Sequence, residues 1–217
     1  MTHYSVTVTS LSWLTRNTFE IRFNRPAGFE YRPGQKITFE DGGITRDYTL
    51  LGPEHRSELA VCVRHVAGGR FSPKLAAAQP GDRYRIGAAH GYFFFKSTDR
   101  RAVFVATGTG IAPFVAFARQ GVRNFDLLHG VHTETQLYYA DELAAAARRY
   151  MPCLGDFPDS PRWPLSFDGR VDGCLAQHLA PGAYDFYLCG RNEMIRDVTA
   201  FVDQRFKGGR VFTEAFF

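Results

Sequence analysis

The residues best placed for chemistry form a turn with two spaced glycines, Gly108-Thr109-Gly110-Ile111-Ala112-Pro113, directly after the apolar run 103–106. The β-branched residues of that run predict a buried strand, and the residues after the glycines predict a helix. Backbone amides at the start of a helix point outward, and the helix dipole favours an anion there. We therefore predict that the turn holds the pyrophosphate of a nucleotide. The alternative is a tight strand–helix turn that binds nothing.

This turn departs from the full dinucleotide-binding pattern. Pro113 occupies the place of the third glycine, and no acidic residue stands at the end of the next strand, where it would bind a ribose. Asp126 has nearly the expected spacing, but it stands at the beginning of that strand and therefore on the opposite side of the sheet. The turn thus indicates nucleotide binding without identifying an enzyme.

The second half of the chain alternates predicted strands with predicted helices. The strands are expected at 102–106, 125–128, 152–154, 184–189 and 211–216, and the helices at 111–119, 142–150, 171–179 and 193–206. Such alternation is typical of a parallel sheet that helices cover on both faces. We therefore predict a parallel five-stranded α/β sheet that binds a nucleotide.

The first half of the chain shows a different pattern, in which apolar and polar residues alternate. Short strands are expected at 4–8, 18–23, 36–39, 45–50, 58–66 and 84–86, with one small helix at 71–78. Six short strands with this spacing predict an antiparallel barrel. The polar connector 96–101 separates the two patterns, so we place a barrel domain at 1–97 and the α/β domain at 98–217.

Bulk composition excludes several classes of protein. The 217 residues carry a net charge of +4 and no dense run of Lys or Arg, so no nucleic-acid partner is expected. The mild positive charge fits an acidic protein partner. The cysteines, at positions 62, 153, 174 and 189, are too dispersed for a zinc or iron–sulfur motif, so we expect reduced thiols and no metal. With no signal peptide and no membrane span predicted, we expect a cytoplasmic protein that is a monomer or a weak dimer.

Six motifs occur in a fixed order along essentially the whole chain. They are Arg46-Asp47-Tyr48-Thr49, Gly69-Arg70-Phe71-Ser72, the run 87–93, the glycine turn 108–113, the run 187–194 and Glu214-Ala215-Phe216-Phe217. This set resembles the ferredoxin–NAD(P)H reductase family, and within it the compact bacterial flavodoxin/ferredoxin reductases. The resemblance implies a six-stranded FAD-binding barrel followed by an NAD(P)-binding domain. It also implies hydride transfer between NAD(P)H and FAD, and transfer of single electrons between FAD and a separate ferredoxin or flavodoxin.

The resemblance assigns the first two motifs to FAD, which most single-chain relatives use in preference to FMN. Arg46 would pair with a flavin-nucleotide phosphate, Tyr48 would stack on the isoalloxazine ring, and Thr49 would hydrogen-bond flavin N5. The motif 69–72 would hold a phosphate through its amides and the Ser72 hydroxyl, and the alternative is a plain helix capped by Ser72. The full predicted FAD set is Arg46, Asp47, Tyr48, Thr49, Val63, Arg64, Gly69, Arg70, Phe71, Ser72, Thr109, Phe216 and Phe217, with residues 63 and 64 acting mostly through their backbone.

The resemblance also assigns the catalytic residues, which are Thr49, Cys189 and Glu214. Cys189 would lie beside the nicotinamide and position it, although a buried cysteine at a strand end is often only a small apolar residue. Glu214 would relay protons to the flavin or polarise the site. Either Phe216 or Phe217 would cover the flavin face, and the sequence leaves this choice open.

The choice between NADH and NADPH depends on the ends of the second and third strands of the α/β domain. Asp156 would repel a 2′-phosphate and accept hydrogen bonds from ribose hydroxyls, which favours NADH. Against this, His132 could pair with a phosphate when protonated, and Ser160 and Arg162 could be the counterparts of the Ser-Arg pair of NADP-using relatives. The full predicted NAD(P) set is Gly108, Thr109, Gly110, Pro113, His132, Asp156, Cys189, Gly190, Arg191 and Met194.

Two other functions stay open at the level of the sequence. The chain could be the flavin reductase subunit of a multicomponent oxygenase or of another electron-transfer complex. It could also be a nucleotide-sensing protein without enzymatic activity.

A lone histidine such as His90 is more often structural, so we give it no catalytic role.

Overall fold

The computed structural model of the chain describes residues 2–216. The chain divides into two compact units. The first unit contains the residues up to Phe95 together with Ala112–Gln120, and the second contains Lys96–Ile111 and the residues from Gly121 onward. The boundary that the sequence places between residues 97 and 98 stays a prediction.

The first unit is built on a six-stranded antiparallel sheet. Its strands are β1 (His3–Thr15), β2 (Thr18–Asn24), β3 (Lys36–Asp41), β4 (Ile44–Thr49), β5 (Glu58–Arg64) and β6 (Arg83–Gly87), in the order β4-β3-β6-β1-β2-β5. Leu50 forms an antiparallel bridge with Val61, and the Leu51 amide donates to the Ala60 carbonyl at 2.9 Å. These contacts join the two outer strands, so the sheet closes on itself and the predicted barrel is confirmed.

The core of the barrel follows from the alternation of side chains along its strands. Phe19, Ile21 and Phe23 of β2 share one face, and all three are fully buried. Phe39 of β3 packs in the same core against Phe71, which precedes the short helix α1 (Ser72–Ala76), with ring centroids 5.9 Å apart. The core therefore holds β3, and with it the neighbouring strand β4 that carries the motif 46–49.

Helix α2 (Ala112–Arg119) also belongs to the first unit. Its Phe114 and Phe117 pack against Phe93, with ring centroids 6.0 and 5.9 Å from that of Phe93. Near the end of the helix, Arg119 Nη1 donates to the Leu51 carbonyl at 3.4 Å. The helix is thereby fixed to the segments that follow β4 and β6.

The second unit contains a parallel sheet with flanking helices. Its elements are β7 (Arg101–Thr107), β8 (Asp126–Val131), α3 (Ala140–Ala146), β9 (Arg149–Leu154), β10 (Phe167–Asp168), α4 (Val171–His178), β11 (Tyr184–Gly190), α5 (Asn192–Arg205) and β12 (Arg210–Ala215). The strand order is β10-β9-β8-β7-β11-β12. Buried apolar residues of β7, β9 and β11 pack with those of α4 and α5 in one core. In the described range, no helix combines the length and the apolar character that a membrane span needs.

The structure corrects two predictions for this sheet. The sheet has six strands and not five, because Phe167 and Asp168 pair with Cys153 and Leu154 at its edge. A strand of two residues is too short to show any periodicity in the sequence. The helix predicted at 142–150 is also wrong beyond Ala146, since β9 begins at Arg149 and the Ala-rich composition masked this change.

Asp126 stands at the start of β8, as predicted, and is fully buried. Arg148 and Arg149 each reach its carboxylate, with nitrogen–oxygen distances of 2.8 and 2.7 Å. Burial raises the pKa of Asp126, but the hydrogen bonds from Arg149 and Arg148 more than offset this, so the pKa lies below its usual value. Asp126 therefore anchors the amino end of β8 to the start of β9.

We expect Asp126→Asn to lower the free energy of unfolding by about 3 kcal/mol, because it removes the charge that two arginines share. Since the pKa is lower in the folded state, this stabilisation is complete above the unfolded pKa of about 3.9 and is lost as the pH falls through the folded pKa. Urea unfolding of both proteins from pH 7 down to pH 3 would measure the difference. If the difference in unfolding free energy between the two proteins grows as the pH falls, the stabilising role of the ionised Asp126 carboxylate is wrong.

Candidate functional site

The glycine turn lies at the carboxyl edge of the parallel sheet, where β7 meets β11. Ala106 of β7 stands opposite Cys189 of β11, and residues 108–111 form a single 3-10 turn after β7. A Cβ atom on Gly110 would lie 2.7 Å from the Gly190 Cα and closer still to the Cys189 carbonyl. Only glycine therefore lets the turn pack against Cys189 and Gly190.

Gly190 is required for a second reason. Its φ of +141° lies in the region that favours glycine, and a Cβ atom there would lie 3.0 Å from the Thr107 amide nitrogen and closer still to the Thr107 hydroxyl. That hydroxyl accepts a hydrogen bond from the Arg191 amide at 3.1 Å. The ends of β7 and β11 are thus fixed to each other by Thr107 and by Arg191, which belongs to the predicted nucleotide-binding set.

The predicted catalytic residues of the second unit stand side by side at the same edge. Cys189 is fully buried and lies opposite Glu214 in the parallel pairing of β11 with β12. Phe216 is half-buried, and its amide donates to the Gly190 carbonyl at 2.9 Å. Phe217, the other candidate for covering the flavin, lies outside the described residues.

A buried aromatic cluster that the sequence did not predict lies next to the glycine turn. His129 of β8 is fully buried, its Nδ1 lies 3.1 Å from the Tyr150 hydroxyl, and its ring meets that of Tyr138 edge-on at 5.8 Å. Burial lowers the pKa of His129 to about 4, with the Gly108 backbone acting in the opposite direction, so the ring is neutral at neutral pH. A single histidine within an apolar strand carries no spacing signal that could have revealed this cluster.

The residues predicted to select the nucleotide meet at the ends of β8 and β9. The Asp156 amide donates to the His132 carbonyl at 2.7 Å, and both side chains are exposed. Arg162, an alternative phosphate ligand, instead donates to the Asp141 carboxylate at 2.6 Å. Its amide also donates to Glu134 at 2.8 Å. Arg162 therefore forms an exposed ion pair with Asp141, and the role of Asp156 in selecting the nucleotide stays a prediction.

In the first unit, β4 presents the predicted flavin residues on alternating faces. Arg46 is exposed, and its Nη1 donates to the Thr45 carbonyl at 2.7 Å. The Tyr48 ring is half-buried, stacks on Phe71 with centroids 6.4 Å apart and meets Phe39 edge-on. Burial raises the pKa of Tyr48 to about 12, although Arg46 acts to lower it. Tyr48 is thus a neutral, rigidly packed ring.

Thr49 is the clearest sign of a ligand in this unit. Its side chain is buried, with 2% of its surface exposed, and within residues 2–216 its hydroxyl has no hydrogen-bond partner. A buried hydroxyl without a partner costs free energy, which a ligand with a polar atom at that position would recover. The residues present therefore fit a bound flavin.

Asp47 and His90 belong to a polar network on the outside of the barrel. Asp47 accepts a hydrogen bond from the Thr38 hydroxyl at 2.6 Å and lies 3.7 Å from Lys36 Nζ and 3.6 Å from His90 Nε2. His90 Nε2 also lies 2.9 Å from the Thr38 hydroxyl. These contacts tie β3 to β4 and to the segment after β6, which accounts for His90 without a catalytic role.

The second predicted phosphate loop, 69–72, is held together by its own hydrogen bonds. The Gly69 amide donates to the Val66 carbonyl at 2.8 Å, and the Val66 amide donates to the Ser72 hydroxyl oxygen at 3.0 Å. Phe71 occupies the N-cap position of α1, and no side chain caps that helix, so the alternative of a helix capped by Ser72 is wrong. Arg70 is exposed, whereas the Phe71 side chain lies in the barrel core.

Several remaining predicted residues are buried away from any open surface. Val63 belongs to the barrel core and Met194 to the core of the second unit, so only their backbones are available to a ligand. Pro113 is buried as the second residue of α2. By contrast, Arg64 is exposed at the end of β5, and Thr109 is half-buried in the glycine turn.

Comparison with known families identifies both units. Residues 5–95 match the oxidoreductase FAD-binding domain, and residues 104–200 match the oxidoreductase NAD-binding domain. The chain is thus an oxidoreductase with one domain for each of these cofactors. It belongs to the ferredoxin–NAD(P)H reductase family.

Individual relatives agree with this family. The toluate 1,2-dioxygenase electron transfer component of Pseudomonas putida is 27% identical over 92% of this chain and 63% of its own length. The terephthalate 1,2-dioxygenase reductase component 2 of Comamonas sp. is 29% identical over 82% of this chain and 57% of its own length. The chain therefore spans about three fifths of these relatives. The fold matches that of a ferredoxin NADP+ reductase from Neisseria gonorrhoeae, with a TM-score of 0.82, 22% identity and full coverage of both chains.

Proposed function

We propose that the protein transfers hydride between NAD(P)H and FAD, and single electrons between FAD and a separate ferredoxin or flavodoxin. The observation that carries this proposal is the buried, unpaired hydroxyl of Thr49, directly after Arg46-Asp47-Tyr48 on a barrel strand. The mild net charge of +4 supports an acidic protein as the electron-transfer partner. A cytoplasmic monomer or weak dimer belongs to the same proposal.

When bound, FAD supplies the coupling between a two-electron hydride donor and a one-electron partner. The protein supplies binding and alignment. Arg46 offers a guanidinium fork for a phosphate, and Tyr48 offers a packed ring face. In the second unit, the turn amides at residues 108–110 hold the pyrophosphate of the nicotinamide nucleotide, while Cys189 and Glu214 line its reactive end.

We expect Thr49→Val to separate stability from function. The substitution keeps the shape of the side chain and removes a hydroxyl that has no partner, so the flavin-free protein should be equally stable or about 1 kcal/mol more stable. Loss of the hydrogen bond to flavin should lower the rate of flavin reduction by NADH about 10-fold. Urea unfolding of the apoprotein and stopped-flow reduction of the holoprotein measure the two effects.

Thr18→Val is the matched control, because Thr18 is equally buried but its hydroxyl lies 3.3 Å from Asn17 Oδ1. This variant should lose stability and keep its reduction rate. If Thr49→Val destabilises the apoprotein as Thr18→Val does, the Thr49 hydroxyl has a structural partner and the assignment is wrong.

We further propose that the preferred nucleotide is NADH, because the Asp156 carboxylate at the end of β9 would repel a 2′-phosphate. Asp156→Ser should raise the ratio of kcat/KM for NADPH to that for NADH about 10-fold, since it removes a like charge from the ribose site. Asp159→Ser, another exposed carboxylate of the same segment, is the matched control and should leave the ratio unchanged. Equal shifts in both variants would indicate a general charge effect and contradict the role of Asp156.

A second candidate function is the reductase component of an oxygenase system. The names of the relatives favour it, since they include the electron transfer component of a toluate dioxygenase and a reductase component of a terephthalate dioxygenase. Assays of the purified protein with NADH and either a soluble [2Fe–2S] ferredoxin or a flavodoxin would separate the two candidates. Full turnover with a free acceptor supports the first, whereas activity only with a stably co-purifying oxygenase supports the second.

A further inference from the structure

Strand β1 carries an aromatic ring that the barrel core does not cover. The sequence predicted a strand only at 4–8, but β1 continues to Thr15 past a register shift between Val8 and Ser10. Trp13 lies in this extension and has 49% of its surface exposed. About half of this residue stays accessible to solvent, so the indole ring is available for a ligand.

Other side chains hold the Trp13 ring in a fixed orientation. The ring packs on Phe19 with centroids 5.1 Å apart and an interplanar angle of 57°, and it meets the His65 ring edge-on at 6.1 Å. Val66, next to His65 in the chain, is 53% exposed. We call Trp13, His65 and Val66 the Trp13 platform.

The Trp13 platform is continuous with the predicted phosphate loop 69–72. Its Val66 amide donates to the Ser72 hydroxyl oxygen at 3.0 Å, and its Val66 carbonyl accepts from the Gly69 amide at 2.8 Å. The His65 amide donates to the Asn17 carbonyl at 2.8 Å, which ties the loop back to the turn between β1 and β2. A phosphate held at 69–72 would therefore have an exposed aromatic surface next to it.

We propose that Trp13 is the stacking platform for the adenine of FAD. This inference rests on the proposed function, in which 69–72 holds the FAD phosphates. FAD differs from FMN by an adenosine monophosphate group, whose adenine presents a π-face that stacks favourably on aromatic side chains. The segment 50–57, which follows the flavin motif, contains no Phe, Tyr or Trp that could take this part. The Trp13 platform thus selects FAD over FMN.

The test is a comparison of FAD and FMN affinities in the wild type and in Trp13→Ala, measured on the full chain by flavin fluorescence. Trp13→Ala should raise the Kd for FAD about 10-fold, as loss of one base–aromatic stack does elsewhere, and leave the Kd for FMN within about 2-fold. Trp13→Phe should keep most of the FAD affinity. Trp13→Leu keeps an apolar side chain against Phe19 but removes the π-face, so it should repeat the alanine result even if Trp13→Ala folds poorly.

Tyr92→Ala is the matched control, because Tyr92 is an aromatic residue of the same unit with 93% of its surface exposed, and it should change neither affinity. Unchanged FAD affinity in Trp13→Leu would overturn this inference and leave the proposed function intact. An equal loss of FAD and FMN affinity would also overturn it, because Trp13 would then only support the barrel. A wild-type protein that binds no flavin would overturn the proposed function as well.

Discussion

Replacing Arg46 by alanine is expected to raise the Kd for FAD about 100-fold, because a charge-assisted contact with a phosphate contributes more than an ordinary hydrogen bond. The Arg46 guanidinium is exposed on β4, and its Nη1 donates to the neighbouring Thr45 carbonyl. The fold should therefore survive its removal. Isothermal titration of the apoprotein with FAD measures the affinity, and thermal unfolding of the apoprotein verifies the fold.

Two further variants identify the cause of the Arg46 effect. Arg46→Lys keeps the charge but loses the planar fork, so it should recover only part of the affinity. Arg64→Ala removes another exposed arginine of the same unit, one that the resemblance assigns a role through its backbone, and it should leave the Kd within about 2-fold. FAD affinity that is unchanged in Arg46→Ala would refute the phosphate assignment.

Gly110→Ala is expected to lower kcat/KM for NADH about 100-fold, since small displacements of a binding turn disturb the alignment on which hydride transfer depends. The added Cβ atom would overlap the Cys189 carbonyl and lie 2.7 Å from the Gly190 Cα, so the ends of β7 and β11 must move apart. FAD affinity should hardly change, because the FAD phosphates are assigned to residues of the first unit. Steady-state kinetics and FAD titration of the same preparation separate the two effects.

Gly108→Ala is the matched control within the same turn. Its φ of +53° strains an alanine by about 1 kcal/mol, but the nearest atom to the added Cβ would be the Tyr138 hydroxyl at 3.8 Å. We therefore expect a much smaller loss of kcat/KM than in Gly110→Ala. Equal losses in both variants would mean that backbone strain, and not the contact with Cys189, determines the effect.

The barrel could be predicted from the sequence because apolar and polar residues alternate along several of its strands. In β2 the apolar residues Phe19, Ile21 and Phe23 alternate with polar residues in the sequence, and all three are fully buried. The extension of β1 could not be predicted, because the register shift after Val8 breaks the alternation within the strand. Strand β10 could not be predicted either, since its two residues depend on pairing with β9 and not on any local pattern.

In the candidate site, too, features that depend on residue type could be predicted, and features that depend on long-range contacts could not. The glycine turn could be predicted because only glycine allows the backbones to approach so closely. Gly110 and Gly190 are two such positions. Three other features depend on contacts between residues far apart in the chain. They are the buried hydroxyl of Thr49, the His129 cluster and the Trp13 platform. Such contacts leave no trace in spacing or composition.

The central claim is that this chain passes hydride from a nicotinamide nucleotide to its own bound flavin. Its most direct test is an anaerobic titration of the FAD-loaded protein with NADH and, separately, with NADPH, followed by the visible absorbance of the flavin. We predict stoichiometric bleaching by NADH at a rate well above that with NADPH. Rapid bleaching by NADPH alone would contradict the assignment of Asp156. A flavin that neither nucleotide bleaches would contradict the claim itself.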